Sequence, residues 1–142
     1  MNTHTRLKRT KLATTLLITL LIFVSTSSFN GFQQPTKWEA PKEADNIKNP
    51  LTDNSIATVD GKKLYTKMCV ICHGNKGKGD GVAGMALKPK PTNLTTTDVQ
   101  QQTDGAIYWK LTEGRAPMAA YKASLSEDER WQLVNYIRQL GK

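Results

Sequence analysis

The chain has little of what metal clusters, disulfide frameworks and stacking surfaces are built from. Among its 142 residues are two cysteines and two histidines, and aromatics make up 7%. Both cysteines, Cys69 and Cys72, sit in one short stretch, so no separate pair is left to staple a fold in an oxidising compartment. A structural zinc site needs four ligands, and only Cys69, Cys72, His73 and the distant His4 are on offer. The apolar run at residues 12–24 is 13 residues long, short of the roughly 20 that span a bilayer. No internal repeat is present, which excludes solenoids and propellers. Cations outnumber acids, 20 to 12, yet no Lys/Arg cluster interleaves with aromatics, and this excludes a nucleic-acid binder.

Much of the basicity is local. Arg6, Lys8, Arg9 and Lys11 precede the apolar run with no acid among them, and Ser25, Thr26, Ser27 and Ser28 follow it. A basic start, a short apolar stretch and small residues form a secretory signal or an uncleaved signal anchor over residues 1–28. The second reading leaves residues 12–24 as a membrane tether. No cysteine follows the run, so a lipid-anchored export route is closed. Without the segment, 16 cations face 12 acids, and the remaining +4 favours docking on an acidic partner. Residues 29–56 are mostly polar, with Pro35, Pro41 and Pro50 and with Trp38 as the largest side chain, and read as a linker or extended arm.

The folded unit is expected at residues 57–142. Thr58 or Asp60 would cap a first helix carrying Gly61, Leu64, Tyr65 and Met68 into Cys69. Gly74 ends it, and the glycine-rich residues 74–81 form a loop whose order of Lys and Gly does not fit a phosphate-binding loop. A short second helix at residues 82–87 is stopped by Lys88-Pro89-Lys90-Pro91. A middle helix from about Thr103 to Glu113 carries Ile107, Tyr108 and Leu111. Ser126-Glu127-Asp128-Glu129 is a capping box that opens a last helix to about Leu140, with Trp131, Leu133, Val134, Tyr136 and Ile137 on its apolar stripe. Four helical stretches and no strand predict a small all-α domain.

Its chemistry is concentrated in Cys69-Val70-Ile71-Cys72-His73. At about 3.6 residues per turn the two thiols share a helix face and the imidazole follows beside them. C-x-x-C-H is the pattern of c-type haem attachment: two thioether bonds hold the macrocycle edge and His73 binds the iron through a neutral ring nitrogen. A thioredoxin-like redox pair would want a strand before the motif and βαβ units around it, and neither is present. An 86-residue core at residues 57–142 is marginal by itself, and one covalent haem would supply the missing buried surface.

With Gly61-Lys62-Lys63-Leu64-Tyr65 before that motif, Gly114-Arg115-Ala116-Pro117-Met118 after it, and Leu125-Ser126 through Trp131 to Arg138 at the end, the sequence resembles a class I monohaem cytochrome c. The resemblance covers residues 57–142. It implies a first and last helix crossing closely, with Gly61 and Tyr65 against Leu133 and Tyr136. It implies Met118 as the second axial ligand, 45 residues beyond His73, although the family often has proline after this methionine and here Pro117 precedes it. Met85 is the rival; Met68 directly precedes Cys69 and is excluded. The resemblance also implies that a loop proline, Pro89 or Pro91, offers its carbonyl to the other ring nitrogen of His73. Trp109 and Tyr108 would cover the haem or bond a propionate.

The function so implied is one-electron transfer by an exported carrier, in the periplasm or on the outer face of the cytoplasmic membrane, rather than catalysis. Lys76, Lys78, Lys88 and Lys90 flank the loops expected to border the haem and would steer an acidic redox partner. Two other readings use the same residues. One is a haem subunit of a larger membrane oxidoreductase. The other is a haem enzyme or gas sensor with an open distal site, for which the chain lacks a distal histidine.

Overall fold

A computed structural model describes residues 37–142. The expected signal or anchor over residues 1–28, and the first part of the expected arm, lie outside the described residues. Five α-helices follow in order: α1 Ser55–Met68, α2 Val70–His73, α3 Thr97–Gln100, α4 Asp104–Glu113 and α5 Glu127–Leu140. Single 3₁₀ turns occupy Lys42–Asn46 and Gly84–Ala86. The domain is all-α: among the described residues the one β-type pairing is an isolated bridge between Arg115 and Met118.

The frame is the crossing of α1 with α5. A Cβ added at Gly61 would lie 1.9 Å from the Gln132 carbonyl oxygen, so only glycine lets the two backbones approach this closely. One turn on, the rings of Tyr65 and Tyr136 meet at 5.1 Å with a 57° tilt. Leu133 and Val134 are fully enclosed, and Trp131 is 1% exposed with its ring stacked on Tyr108 at 3.9 Å. Burying side chains of this size contributes roughly 1.5–3 kcal/mol each.

The helix starts follow local chemistry. Ser126 and Glu129 form the expected capping box, with the Glu129 amide donating to the Ser126 hydroxyl and the Ser126 amide to the Glu129 carboxylate. Thr103 caps α4. The start of α1 corrects the sequence reading: the cap is Asn54, whose side chain accepts from the Ala57 amide at 3.0 Å. Thr58 instead donates back to the Asn54 carbonyl, and Asp60 pairs with Lys63, as interior helix residues do. The short helix expected at residues 82–87 is reduced to the 3₁₀ turn at Gly84–Ala86.

Residues 38–54, within the expected linker or extended arm, are seated against the helices. Ala44 is 2% exposed, and the turn that carries it packs on α4. The Asn49 amide donates to both Asp104 and Asn135 at 2.8 Å, and the Asn135 amide donates to the Leu51 carbonyl at 2.7 Å. The Thr103 hydroxyl donates to Asp45 at 2.6 Å. A segment short of apolar residues is thus seated by polar pairing, which leaves no hydrophobic periodicity to read.

Candidate functional site

The backbone runs almost unbroken from α1 into the motif. The Cys69 amide still donates to the Tyr65 carbonyl, and the His73 amide donates to the Cys69 carbonyl, both at 2.8 Å. Cys69 and Cys72 are free thiols within this one helical stretch, Cys69 buried and Cys72 half-buried. Burial first, then the neighbouring Cys72, pushes the Cys69 thiol up to about 11; a hydrogen bond from the Tyr121 hydroxyl pulls the other way.

His73 is half-buried at the end of α2. Its Nδ1 lies 3.2 Å from the Thr92 carbonyl oxygen, and a carbonyl can only accept, so the hydrogen sits on Nδ1 and Nε2 keeps its lone pair. Burial lowers the imidazole's basicity, against the smaller opposing effect of that bond, and favours the neutral ring that ligates metal. The acceptor corrects the expectation of Pro89 or Pro91. The Pro91 carbonyl abuts Gly79, where an added Cβ would lie 2.3 Å from it, while the Pro91 ring lies against Gly84. The next carbonyl in the chain is the one that meets the imidazole.

The glycine-rich loop folds back over the motif through backbone bonds. Gly79 donates to the His73 carbonyl at 2.9 Å, Gly81 to that of Cys72 at 3.1 Å, and Ala83 to that of Ile71 at 2.9 Å. Lys76, Lys78, Lys88 and Lys90 are exposed around it, with Asp80 as the one acid between Gly74 and Thr97. Ile71, Val82 and Met85, 54%, 75% and 69% exposed, add an apolar patch to the same segment.

On the other flank, Met118 is half-buried against the apolar cluster that contains Cys69. It closes a four-residue turn with Arg115 in which each residue's amide donates to the other's carbonyl, at 2.9 and 3.1 Å. Met85 stands largely in solvent and Met68 packs beside the cluster. Tyr121, three residues beyond Met118, also packs on this cluster and was not anticipated as a site residue; its hydroxyl is made less acidic by burial and by both cysteines. The signal available was an aromatic between the methionine and the last helix. Tyr108 belongs to the core, its hydroxyl accepting from Arg130 Nη2 at 2.7 Å. Trp109 is half-buried on α4, outside the cluster that joins Cys69 and Met118.

This donor set fits a covalently held haem: two unpaired thiols one helical turn apart, and an imidazole whose Nδ1 is engaged while Nε2 is free. Residues 57–137 match the family model for cytochrome C oxidase, cbb3-type, subunit III, and the chain belongs to that family, a c-type cytochrome domain. Among solved structures it is similar to a chain of the Kuenenia stuttgartiensis reducing HAO-like protein complex Kustc0457/Kustc0458, at 31% identity and a TM-score of 0.59. That likeness covers 66% of this chain and 47% of the other, so the chain spans about half the length of this relative. No match was found among curated proteins. Membership of the family implies haem-based electron transfer as the role of the domain.

Proposed function

We propose that the chain is an exported one-electron carrier that holds a single haem c through Cys69 and Cys72, with His73 and Met118 as axial ligands. The observation that carries this reading is the fixed His73 imidazole beside two free thiols. Bound there, the haem iron would supply the ferric/ferrous couple. His73 presents a neutral nitrogen with its ring orientation set by Thr92, and a soft thioether from Met118 favours the ferrous state and so raises the potential. Met118 is chosen over Met85 because it packs on the apolar cluster that contains Cys69 while Met85 is exposed. With both axial positions filled by protein, substrate has no place to bind, which argues for transfer and against catalysis.

The exposed lysines at 76, 78, 88 and 90 suit a redox partner with an acidic docking surface. Export to the periplasm or the outer face of the membrane rests on the sequence of residues 1–28, which either leave the chain or tether it. A second reading, a haem subunit within a larger oxidoreductase, is favoured by the likeness to a chain of a two-protein complex.

Expression in a haem-attaching host tests the proposal. The wild-type band should stain for haem under denaturing conditions with the mass of one haem added, and Cys69→Ala/Cys72→Ala should carry no stain. Met118→Ala should keep the stain, lose the weak far-red sulfur–iron absorption of the ferric form and bind cyanide readily. Stain in the double variant would overturn covalent attachment; far-red absorption surviving in Met118→Ala and lost in Met85→Ala would overturn the choice of methionine.

A further inference from the structure

Residues 38–54 cross α4 from its first turn to the loop beyond its last. At the start of α4, a Cβ on Gly105 would lie 2.0 Å from the Ala44 carbonyl oxygen and 2.7 Å from that of Ile47, so the segment lies directly on the helix backbone. Asn49 and Asp45 fix it to Asp104 and Thr103. At the far end, the Trp38 ring lies 5.6 Å from the Lys110 ammonium and 5.2 Å from the Arg115 guanidinium, both within cation–π range. Lys110 is on α4, whereas Arg115 is the residue that exchanges two backbone hydrogen bonds with Met118. An indole held by a seated segment therefore grips the one side chain whose backbone sets the position of the methionine.

We propose that Trp38 is a positioning residue for the Met118 side of the haem site, acting through Arg115, and that residues 38–54 form a strap that keeps the turn of Arg115 and Met118 closed. This rests on the reading of Met118 as an axial ligand. The turn that carries Met118 is exposed at Arg115, Ala116 and Pro117, so these three residues add little burial to hold it. Two cations on one ring supply a tether that costs no further burial.

The test uses the full-length haem-loaded protein in the ferric state, well below its melting temperature. Trp38→Ala should speed cyanide association by about tenfold, the size of change that two cation–π contacts at a partly exposed ring support. It should also lower the pH at which the far-red band is lost by about one unit. Trp38→Phe, which keeps an aromatic face, should restore most of both. Arg115→Gln changes an exposed residue and should move cyanide association in the same direction. Ile137→Val, a core change on α5, should lower the melting temperature and leave cyanide association as it was.

Wild-type cyanide rates in both Trp38→Ala and Arg115→Gln would overturn the strap, as would an equal acceleration in Ile137→Val. Failure of the underlying reading looks different. In that case Met118→Ala would itself leave the far-red band and the cyanide rate unchanged.

Discussion

The two flanks of the haem site are held in different ways. The His73 side is a closed local weave: residues 71–94 bind one another through backbone bonds from Gly79, Gly81, Ala83 and Leu94, and the acceptor for the imidazole lies only 19 residues on. The Met118 side has little of this. Past the turn itself, its residues are tied to other elements: the Tyr121 amide donates to the Leu111 carbonyl at 3.0 Å, Lys122 to that of Thr112 at 3.3 Å, and Arg130 reaches in from α5. The proposed ligand His73 is positioned by the loop that follows it, and the proposed ligand Met118 by a turn whose continuation bonds to α4 and is reached from α5. In the proposed carrier such a division would keep the attached side from shifting on electron transfer, while the Met118 side would set how the couple is tuned.

The largest expected effect strikes the local weave. A Cβ at Gly81 would meet the carbonyl oxygens of Val70 and Ile71 at 2.5 Å and the Cys72 carbonyl carbon at 2.6 Å, all of them backbone. No side chain can swing away to relieve these contacts. Gly81→Ala should therefore cost about 3 kcal/mol, the upper part of the range for overpacking, read as a fall in the denaturant midpoint of the haem-loaded protein. A cost under about 0.5 kcal/mol, no more than an ordinary surface change, would mean that the His73 flank yields easily and that the contrast fails.

A smaller loss is expected where the distal flank meets α5. Arg130 is 8% exposed and bonds only neutral groups: Nη1 donates to the Lys122 and Leu125 carbonyls at 3.3 and 3.4 Å and Nη2 to the Tyr108 hydroxyl, while Nε is buried without a partner. Its guanidinium also lies 5.1 Å from the Tyr108 ring centroid. Arg130→Met keeps the stem's apolar bulk and loses the donors, which should cost about 2 kcal/mol. Hydrogen exchange sharpens the comparison. The amides of Tyr121 and Lys122 should exchange faster in the variant, and those of Gly81 and Ala83 should not.

What the sequence disclosed divides along the same line. The motif, the glycine loop and the capping box at Ser126 are carried by residue type at short spacing, and the meeting of Gly61 and Tyr65 with Leu133 and Tyr136 is implied by the resemblance to class I cytochromes c; the structure has the crossing and the cap where they are expected. Local reading went astray where competition was between near neighbours. Asn54 took the cap expected of Thr58 or Asp60, and Thr92 took the bond expected of Pro89 or Pro91. Trp38, Asn49, Tyr121 and Arg130 act across the chain, through an indole on two cations, an amide bridging two elements, a hydroxyl on a thiol and a buried guanidinium on carbonyls. None of these leaves a periodic trace, and a polar strap with three prolines nearby looks like a linker.

Tyr65 gives the smallest and most selective test, since its hydroxyl ties the α1/α5 frame to the His73 flank through one bond. Its hydroxyl, on a side chain 1% exposed, donates to the Gly74 carbonyl at 2.8 Å, and that carbonyl also accepts from Gly77 at 3.2 Å. Tyr65→Phe therefore orphans no acceptor, and near neutral pH it should cost only about 1 kcal/mol. Burial first, then the charges that Cys69, Tyr136 and Asp80 can carry, raises the phenol well above its ordinary value. Below about pH 10 the phenol is neutral in folded and unfolded chains alike, so it adds no pH dependence. Above that, the unfolded chain releases the proton and the folded chain keeps it, so wild-type stability falls as pH rises, by about 1.4 kcal/mol per unit from this group. The phenylalanine variant lacks that loss. Chemical denaturation at pH 7, 10 and 11 should show the variant less stable at the first pH and the gap closing at the last. Parallel curves would mean that the Tyr65 hydroxyl is reached by water, and that the frame and the His73 flank are joined less tightly than this bond implies.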